Sequence, residues 1–154
     1  YQDTAVHITS SSPISRFQSI MQVYFSIIAD AEDYIYIVTP YFSPTSSIMT
    51  ALKTTALSGL DVEIMLPYQS DSTWAKHCMF SFIEDLLAAH VKVYLYHDGF
   101  QHSKIIICDD IISSIGTANF DERSFDANFE LNALIYNKDT AQKLKNNLFF
   151  RIWI

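Results

Sequence analysis

The stretch His-Ser-Lys-Ile-Ile-Ile-Cys-Asp-Asp-Ile-Ile-Ser-Ser-Ile-Gly-Thr-Ala-Asn, residues 102–119, decides the fold. Two runs rich in β-branched residues, 103–108 and 111–115, flank Asp109 and Asp110, which favours a β-hairpin. Because paired strands of a hairpin run antiparallel, the polar residues at the two ends of this stretch are expected to meet.

Four polar side chains bracket the hairpin, His102 and Lys104 at its start and Thr117 and Asn119 at its end. Side chains two residues apart on a strand point to the same face, so each pair is expected to project into one site. Cleavage of a phosphodiester needs a nucleophile, and positive or hydrogen-bonding groups on the nonbridging oxygens. We expect His102 to attack phosphorus, Lys104 to hold phosphate, and Thr117 and Asn119 to supply neutral donors.

The rest of the chain alternates strands and helices, which is typical of an α/β sheet. The predicted strands are 34–38, 61–66, 91–96 and 131–136, and the predicted helices are about 13–31, 44–57, 72–89 and one from about Asp139. The predicted fold class is α/β, a mixed β-sheet flanked by helices on both faces, with residues 1–154 as a single domain.

Composition excludes several classes of protein. Hydrophobic residues make up 49% of the 154, and 10 Lys+Arg stand against 17 Asp+Glu, which excludes a disordered chain and leaves a net charge of −7. This charge gives no footprint for nucleic acid, so no nucleic-acid partner is expected. No apolar run reaches the roughly 18 residues of a membrane span. Cys78 and Cys108 lack zinc-site spacing and are expected to be core thiols in a reducing compartment.

The fixed residues of the stretch match the pattern HxKxxxxDxxxxxxG(S/T)xN, which resembles the signature of the phospholipase D superfamily. The extension Asn119-Phe-Asp121-Glu-Arg123-Ser124, then Asn128-Phe-Glu130, is similar to the cardiolipin synthase branch. Tyr41-Phe-Ser-Pro44, Asp71 and the strand before the motif are similar to it as well. His90 departs from the family, which commonly has glycine there, and this bears on a turn.

The resemblance implies a half-domain with one His-Lys-Asp (HKD) motif. In the superfamily, the nucleophile and the general acid are histidines of two such halves, in one chain or across a homodimer, and which is which stays open here. We therefore interpret the chain as the C-terminal half excised from a longer two-motif protein. That protein would transfer a phosphatidyl group between phosphatidylglycerol molecules through phosphohistidine, giving cardiolipin and glycerol, without cofactor or metal. It would be associated with the bacterial membrane, on the cytoplasmic side, with this segment itself soluble.

An attacking imidazole needs a carboxylate that fixes its orientation, and Asp109 and Glu130 are the candidates. In an extended strand Asp109 lies roughly 23 Å from His102 and on the opposite face, so we expect it to be structural, with contacts local to the hairpin. Glu130 opens the next predicted strand and is expected to orient His102, a role that the family pattern also implies.

Further polar residues leave two readings open. Arg123 and Ser124 are candidate phosphate or substrate ligands, and a helix cap or solvated turn is an equal interpretation of their loop. Three aromatic residues, Tyr41, Trp74 and Phe100, are expected to pack in the core.

Two alternative functions remain. One is a homodimeric phosphodiesterase or nuclease of the same superfamily, against which the acidic charge argues. The other is a non-catalytic module that binds phosphate or packs against a partner half.

Overall fold

The computed structural model describes residues 4–150, with side chains through residue 148. The strands are Ala5–Ser11 (β1), Tyr34–Val38 (β2), Phe42–Ser43 (β3), Asp61–Pro67 (β4), Lys92–Tyr96 (β5), Ile105–Cys108 (β6), Ile112–Gly116 (β7), Phe120–Asp121 (β8) and Glu130–Tyr136 (β9). The helices are Ser19–Ala29 (α1), Ser46–Leu57 (α2), Thr73–Ser81 (α3), Ile83–Ala88 (α4), Glu122–Asp126 (α5) and Lys138–Lys145 (α6), followed by a π-helical turn, Asn146–Phe150.

Seven strands form one mixed sheet in the order β1-β9-β7-β6-β2-β4-β5. Strands β2, β4 and β5 are parallel, and each neighbouring pair from β2 through β6, β7 and β9 to β1 is antiparallel. Consequently β1, β2, β4, β5 and β7 end where β6 and β9 begin. We call this the His102 end of the sheet. The short strands β3 and β8 pair in parallel there.

The alternation of side chains along the buried strands produces two apolar layers. Ile35 and Ile37 of β2 lie in the layer that also contains the buried faces of α1, α2, α3 and α4. Tyr34, Tyr36 and Val38 lie in the other layer, which packs against Ala141 of α6. Helices thus cover both faces, and the predicted fold class is confirmed.

The predicted first helix, 13–31, was wrong at its start. Residues 5–11 form β1, which pairs with β9, and the helix begins only at Ser19. Ile14 and Phe17 match the helical spacing but are exposed, and the backbone turns at Pro13, where Ser15 N–H donates to the Ser12 carbonyl. Ile14 and Phe17 therefore match the helical spacing of α1 by chance, although they precede the helix.

Two other predicted helices differ in detail. The helix predicted for 44–57 starts at Ser46, because the Thr45 side chain accepts a hydrogen bond from Ile48 N–H and so caps it. The helix predicted for 72–89 is two helices, α3 and α4, which meet at Phe82.

Residues at left-handed backbone angles form two turns. The hairpin between β6 and β7 turns at Asp109 and Asp110, with φ of 53° and 54°, a region in which Asp is tolerated better than most residues. His90, which precedes β5, has φ of 67°, so its backbone adopts the conformation that favours glycine.

Asp109 joins this hairpin to the start of β2, at the end of the sheet opposite His102. Its carboxylate accepts hydrogen bonds from the backbone N–H groups of Glu32 (2.8 Å), Asp33 (3.0 Å) and Tyr34 (2.7 Å). Burial raises the pKa of Asp109, but these backbone hydrogen bonds outweigh burial and the pKa is lowered. The expectation that its contacts stay within the hairpin was therefore wrong, since they reach a segment distant in sequence.

We predict that Asp109→Asn lowers the free energy of unfolding by about 1–2 kcal/mol near pH 7, a value discounted for partial exposure of the carboxylate. Asn tolerates the left-handed backbone, so the change removes charge without adding strain. Because the folded pKa is lowered, this contribution is present above the unfolded pKa of about 3.9 and disappears as pH falls through the folded value. Denaturant titrations at about pH 7 and about pH 3 measure it.

The matched control is Asp85→Asn, because Asp85 is an exposed residue of α4 whose ion pair with Lys53 is 3.6 Å long. That control should change stability little at either pH. An equal loss for both variants would contradict the role given to the Asp109 hydrogen bonds.

Candidate active site

His102 and Lys104 lie in the segment immediately before β6. They were predicted on the strand, but pairing with β2 and β7 begins only at Ile105. The Lys104 Nζ lies 3.1 Å from Nδ1 and 3.3 Å from Nε2 of His102, and it donates to the His102 carbonyl oxygen at 2.8 Å. The structure therefore brings the two side chains into contact.

Lys104 is a buried cation, 9% exposed, beside an exposed imidazole. Burial lowers the pKa of Lys104, while the negative charges of Glu130 and Asp121 act in the opposite direction. Within residues 4–150, no carboxylate lies within ion-pair distance of its ammonium. A buried cation without an anionic partner is costly, so the site is suited to an anionic ligand.

Gly116 ends β7 next to this cation, and its N–H donates to the Lys104 carbonyl at 3.3 Å. A Cβ added here would lie 2.2 Å from Asn132 Oδ1 and 2.4 Å from the Leu131 carbonyl oxygen. Only glycine permits this close approach to β9. Thr117 and Asn119 lie beyond β7, not on it as predicted, because the strand ends at this contact.

A buried hydrogen-bond network fixes the segment after Gly116. Asn132 donates to the Tyr24 hydroxyl (2.7 Å) and to Ser114 Oγ (3.1 Å), and its Oδ1 accepts from Ala118 N–H (3.3 Å). The Tyr24 hydroxyl donates to the Ala118 carbonyl at 3.0 Å. These bonds connect α1, β7 and β9 to one short segment, so Asn119 projects from a rigid support.

Asn119 is held from behind by Ser124. The Ser124 hydroxyl accepts from both the backbone N–H (3.1 Å) and the side-chain Nδ2 (3.2 Å) of Asn119. Asn119 Oδ1 is buried without a hydrogen-bond partner in the described structure. Ser124 is fully buried and its hydroxyl positions Asn119, which favours the structural one of the two interpretations of its loop.

Aromatic rings flank the imidazole of His102. The ring centroid of Tyr41 lies 6.2 Å from that of His102 in an edge-on arrangement, and the Phe100 centroid lies 5.3 Å away. Phe100 is exposed and Tyr41 is half-buried, and Trp74, also predicted in the core, is 87% exposed. The prediction of core packing was wrong for all three.

A family model described as cardiolipin synthase, PLD-like domain, matches residues 24–153, which is most of the chain. The chain belongs to this cardiolipin synthase PLD-like domain family. It is 44% identical over 139 residues to cardiolipin synthase 2 of Bacillus cereus, covering 90% of this chain and 27% of that protein. It is 44% identical over 142 residues to the major cardiolipin synthase of Bacillus subtilis, covering 92% and 30%. The chain thus spans less than a third of these relatives.

Solved structures show the same fold at low sequence identity. NUC from Salmonella typhimurium, described as a phospholipase D family member, superposes with a TM-score of 0.83 at 21% identity over 98% of this chain and 95% of that chain. NucT from Helicobacter pylori gives 0.76 at 20% identity, over 97% and 96%. The resemblance to a phospholipase D half-domain is therefore confirmed at the level of fold and family.

Within this cardiolipin synthase-like domain, Glu130 does not touch His102. Its Oε2 accepts a hydrogen bond from the Thr117 hydroxyl, and its Oε1 accepts from Asn128 Nδ2 at 3.1 Å. The predicted direct contact is therefore absent, and the two oxygens bond to Thr117 and Asn128 instead. Glu130 acts on the site through its charge, which opposes the lowering of the Lys104 pKa.

The remaining candidates line a groove beside Asn119. Arg123 is exposed on its wall, and Asp121 caps α5 by accepting from Ser124 N–H at 2.6 Å. Cys78 is also on this wall and exposed, so the prediction of a core thiol holds only for Cys108. No group of three or more metal-ligating side chains converges in the described residues, and no described helix is long and apolar enough to span a membrane.

Sequence reasoning missed the partner of Tyr41. Its hydroxyl donates to both oxygens of Asp71 at 2.7 Å, and burial together with this hydrogen bond raises the pKa of Tyr41 to about 12. A usable signal existed, since each residue closely follows a strand that ends at the His102 end of the sheet.

Proposed function

We propose that this chain supplies one half of the active site of a phosphatidyltransferase that converts two phosphatidylglycerol molecules into cardiolipin and glycerol. The observation that carries this proposal is the buried ammonium of Lys104 beside the exposed imidazole of His102. The membership in the cardiolipin synthase family supports the choice of substrate. A second HKD half, in the same protein or in a second copy, supplies the other histidine.

The first step breaks the bond between phosphorus and the glycerol headgroup. An unprotonated imidazole nitrogen attacks phosphorus and forms the N–P bond, while the departing glycerol oxygen takes a proton from the second histidine. We place Lys104 on a nonbridging oxygen, where its charge stabilises the transition state. One of the two histidines is His102. Whether it is the nucleophile or the general acid, the same bonds form and break and the same proton is transferred.

The second step regenerates the enzyme. A hydroxyl of another phosphatidylglycerol attacks phosphorus, its proton passes to the histidine that acted as acid, and the N–P bond breaks. The products are cardiolipin and the glycerol released before. All the charge stabilisation comes from side chains, so the proposal requires no metal or other cofactor.

Asn119 is suited to be the neutral donor to phosphate. Rotating its amide by a half turn places Oδ1 where it accepts the Ser124 hydroxyl proton, and places Nδ2 at the position that now lacks a partner. A phosphate oxygen at that position would receive the hydrogen bond. Thr117 then supports Glu130, and Arg123 is free to bind another lipid phosphate.

We further propose that the whole protein works at a membrane, because both of its proposed substrates are lipids. A nuclease is disfavoured, because the net charge is −7 and carboxylates line the groove beside Asn119. A module that only binds phosphate is disfavoured as well, because phosphate binding alone does not require a nucleophilic imidazole beside Lys104.

The test is a transfer assay on the protein that carries both half-sites, with phosphatidylglycerol vesicles in the presence of a metal chelator. We expect cardiolipin and glycerol in equal amounts, and loss of both products in His102→Ala. The matched control is His7→Ala, an exposed histidine on β1, which should retain activity. Phosphate binding without any turnover would instead favour the non-catalytic module.

We predict that Glu130→Gln lowers turnover about tenfold, the loss expected when hydrogen bonds to a charged group are weakened and the charge near Lys104 is removed. Removing this negative charge should lower the Lys104 pKa further, so the ammonium is lost at lower pH and the alkaline limb of kcat/KM moves to lower pH. The readout is a pH–rate profile combined with a melting curve, since a purely structural role would leave the limb in place. Asp109→Asn, at the other end of the sheet, should lose activity only in proportion to folded protein.

A further inference from the structure

A groove of about 740 Å³ opens at the His102 end of the sheet. Its walls come from three segments at the His102 end of the sheet, residues 41–43, 71–78 and 119–128. Tyr41 links the groove to the imidazole, because its ring packs edge-on against His102 and its hydroxyl donates to Asp71. The groove therefore adjoins the proposed phosphate site through Tyr41 and Asn119, while His102 and Lys104 lie outside its lining.

Asn119 lines the groove, and its Oδ1 is buried without a hydrogen-bond partner in the described structure. If the phosphate occupies that position, a group leaving phosphorus on the groove side enters the groove. The leaving group and the attacking hydroxyl of the proposed reaction are both glycerol oxygens. One pocket serves both, because attack is the reverse of departure.

The charge of the groove selects the kind of ligand that fits. Its lining has one guanidinium, that of Arg123, and four carboxylates: Asp71, Asp121, Glu122 and Asp126. Such a wall accepts hydrogen bonds from uncharged hydroxyls, and the Arg123 guanidinium is left for the phosphate that the attacking phosphatidylglycerol carries. A polyol satisfies these acceptors, whereas a monohydric alcohol satisfies few of them.

Among these carboxylates, Asp71 is linked to the imidazole, because its partner Tyr41 packs edge-on against His102. Asp121 caps α5, and Asp126 accepts a hydrogen bond from Gln18 Nε2. Asp71 is exposed and is fixed by the Tyr41 hydroxyl at 2.7 Å, and a carboxylate with about four acceptor positions retains capacity for ligand hydroxyls.

We propose that this groove binds the glycerol headgroup, both as it leaves phosphorus and as it attacks, with Asp71 as the specificity-determining residue and Tyr41 as the residue that positions it. This inference rests on the proposed function and names the headgroup subsite of that reaction. Asp71 takes no proton in either step. The protons remain with the paired histidines, and Asp71 only orients the hydroxyl.

The first experiment measures selectivity between alcohols in the protein that carries both half-sites. Phosphatidyl transfer from phosphatidylglycerol to isotopically labelled glycerol, which marks the newly formed phosphatidylglycerol, is compared with transfer to 1-propanol at equal concentration. We expect Asp71→Asn to reduce the glycerol-to-propanol ratio on the order of tenfold, and Tyr41→Phe to reduce it less. Asp139→Asn, an exposed carboxylate on α6 outside the groove, should keep the wild-type ratio. An unchanged ratio in Asp71→Asn would overturn the proposal.

The second experiment measures binding without turnover. Cys78 is exposed on the groove wall, so glycerol should slow its alkylation by iodoacetamide more than an equal concentration of 1-propanol does. Cys108 is an internal control, since burial raises the pKa of its thiol to about 12 and the thiolate is the reactive form. Asp71→Asn should lose the protection.

These two readouts separate the claims. Absence of glycerol protection in the wild-type protein would overturn the headgroup subsite. Protection that depends on Asp71, in a protein that transfers no phosphatidyl group to any alcohol, would support the subsite and overturn the proposed transferase function.

Discussion

The Lys104 ammonium is buried at one end of the sheet, and the chemistry of the domain depends on it. Desolvation makes an unpaired buried charge costly. Among the described residues, the Lys104 ammonium is stabilised by the His102 carbonyl and imidazole and by the more distant charges of Glu130 and Asp121. The phosphodiester anion of a phospholipid is a ligand that completes such a site. The same burial that lowers the Lys104 pKa strengthens its pull on a phosphate oxygen, because water screens it little.

The sheet serves to hold neutral donors at a fixed place opposite that charge. Gly116 lets β7 approach β9 at atomic contact, and the buried Asn132 amide then ties the following backbone to Tyr24 of α1. Ser124 supports Asn119 from behind. Preorganisation of this kind lowers a barrier because the donors need not reorient when charge develops on phosphate. Asp109 contributes only from the other end, where it secures the hairpin.

The fold and the central pair of the site were predictable because they depend on local patterns. Alternating β-rich and helical segments predicted the α/β sheet, and the spacing of His102 and Lys104 predicted their contact. Glu130 was harder, since its partner depends on where β7 ends, which Gly116 decides through a contact with a residue sixteen positions away. Burial of Ser124 and exposure of Cys78 likewise depend on tertiary packing, which the local periodicity of the sequence does not predict. Strand β1 was missed because its side chains are mostly exposed at a sheet edge, so no continuous buried face marks it.

The central claim is that Lys104, His102 and Asn119 surround one phosphoryl group. The most direct measurement is a crystal structure, with vanadate as the mimic of phosphorus in transfer, of the protein that carries both half-sites. We predict vanadium in line with a His102 nitrogen, with one oxygen on Lys104 Nζ and another on Asn119 Nδ2. Vanadate bound elsewhere, or bound at this end of the sheet without Lys104, would contradict the account.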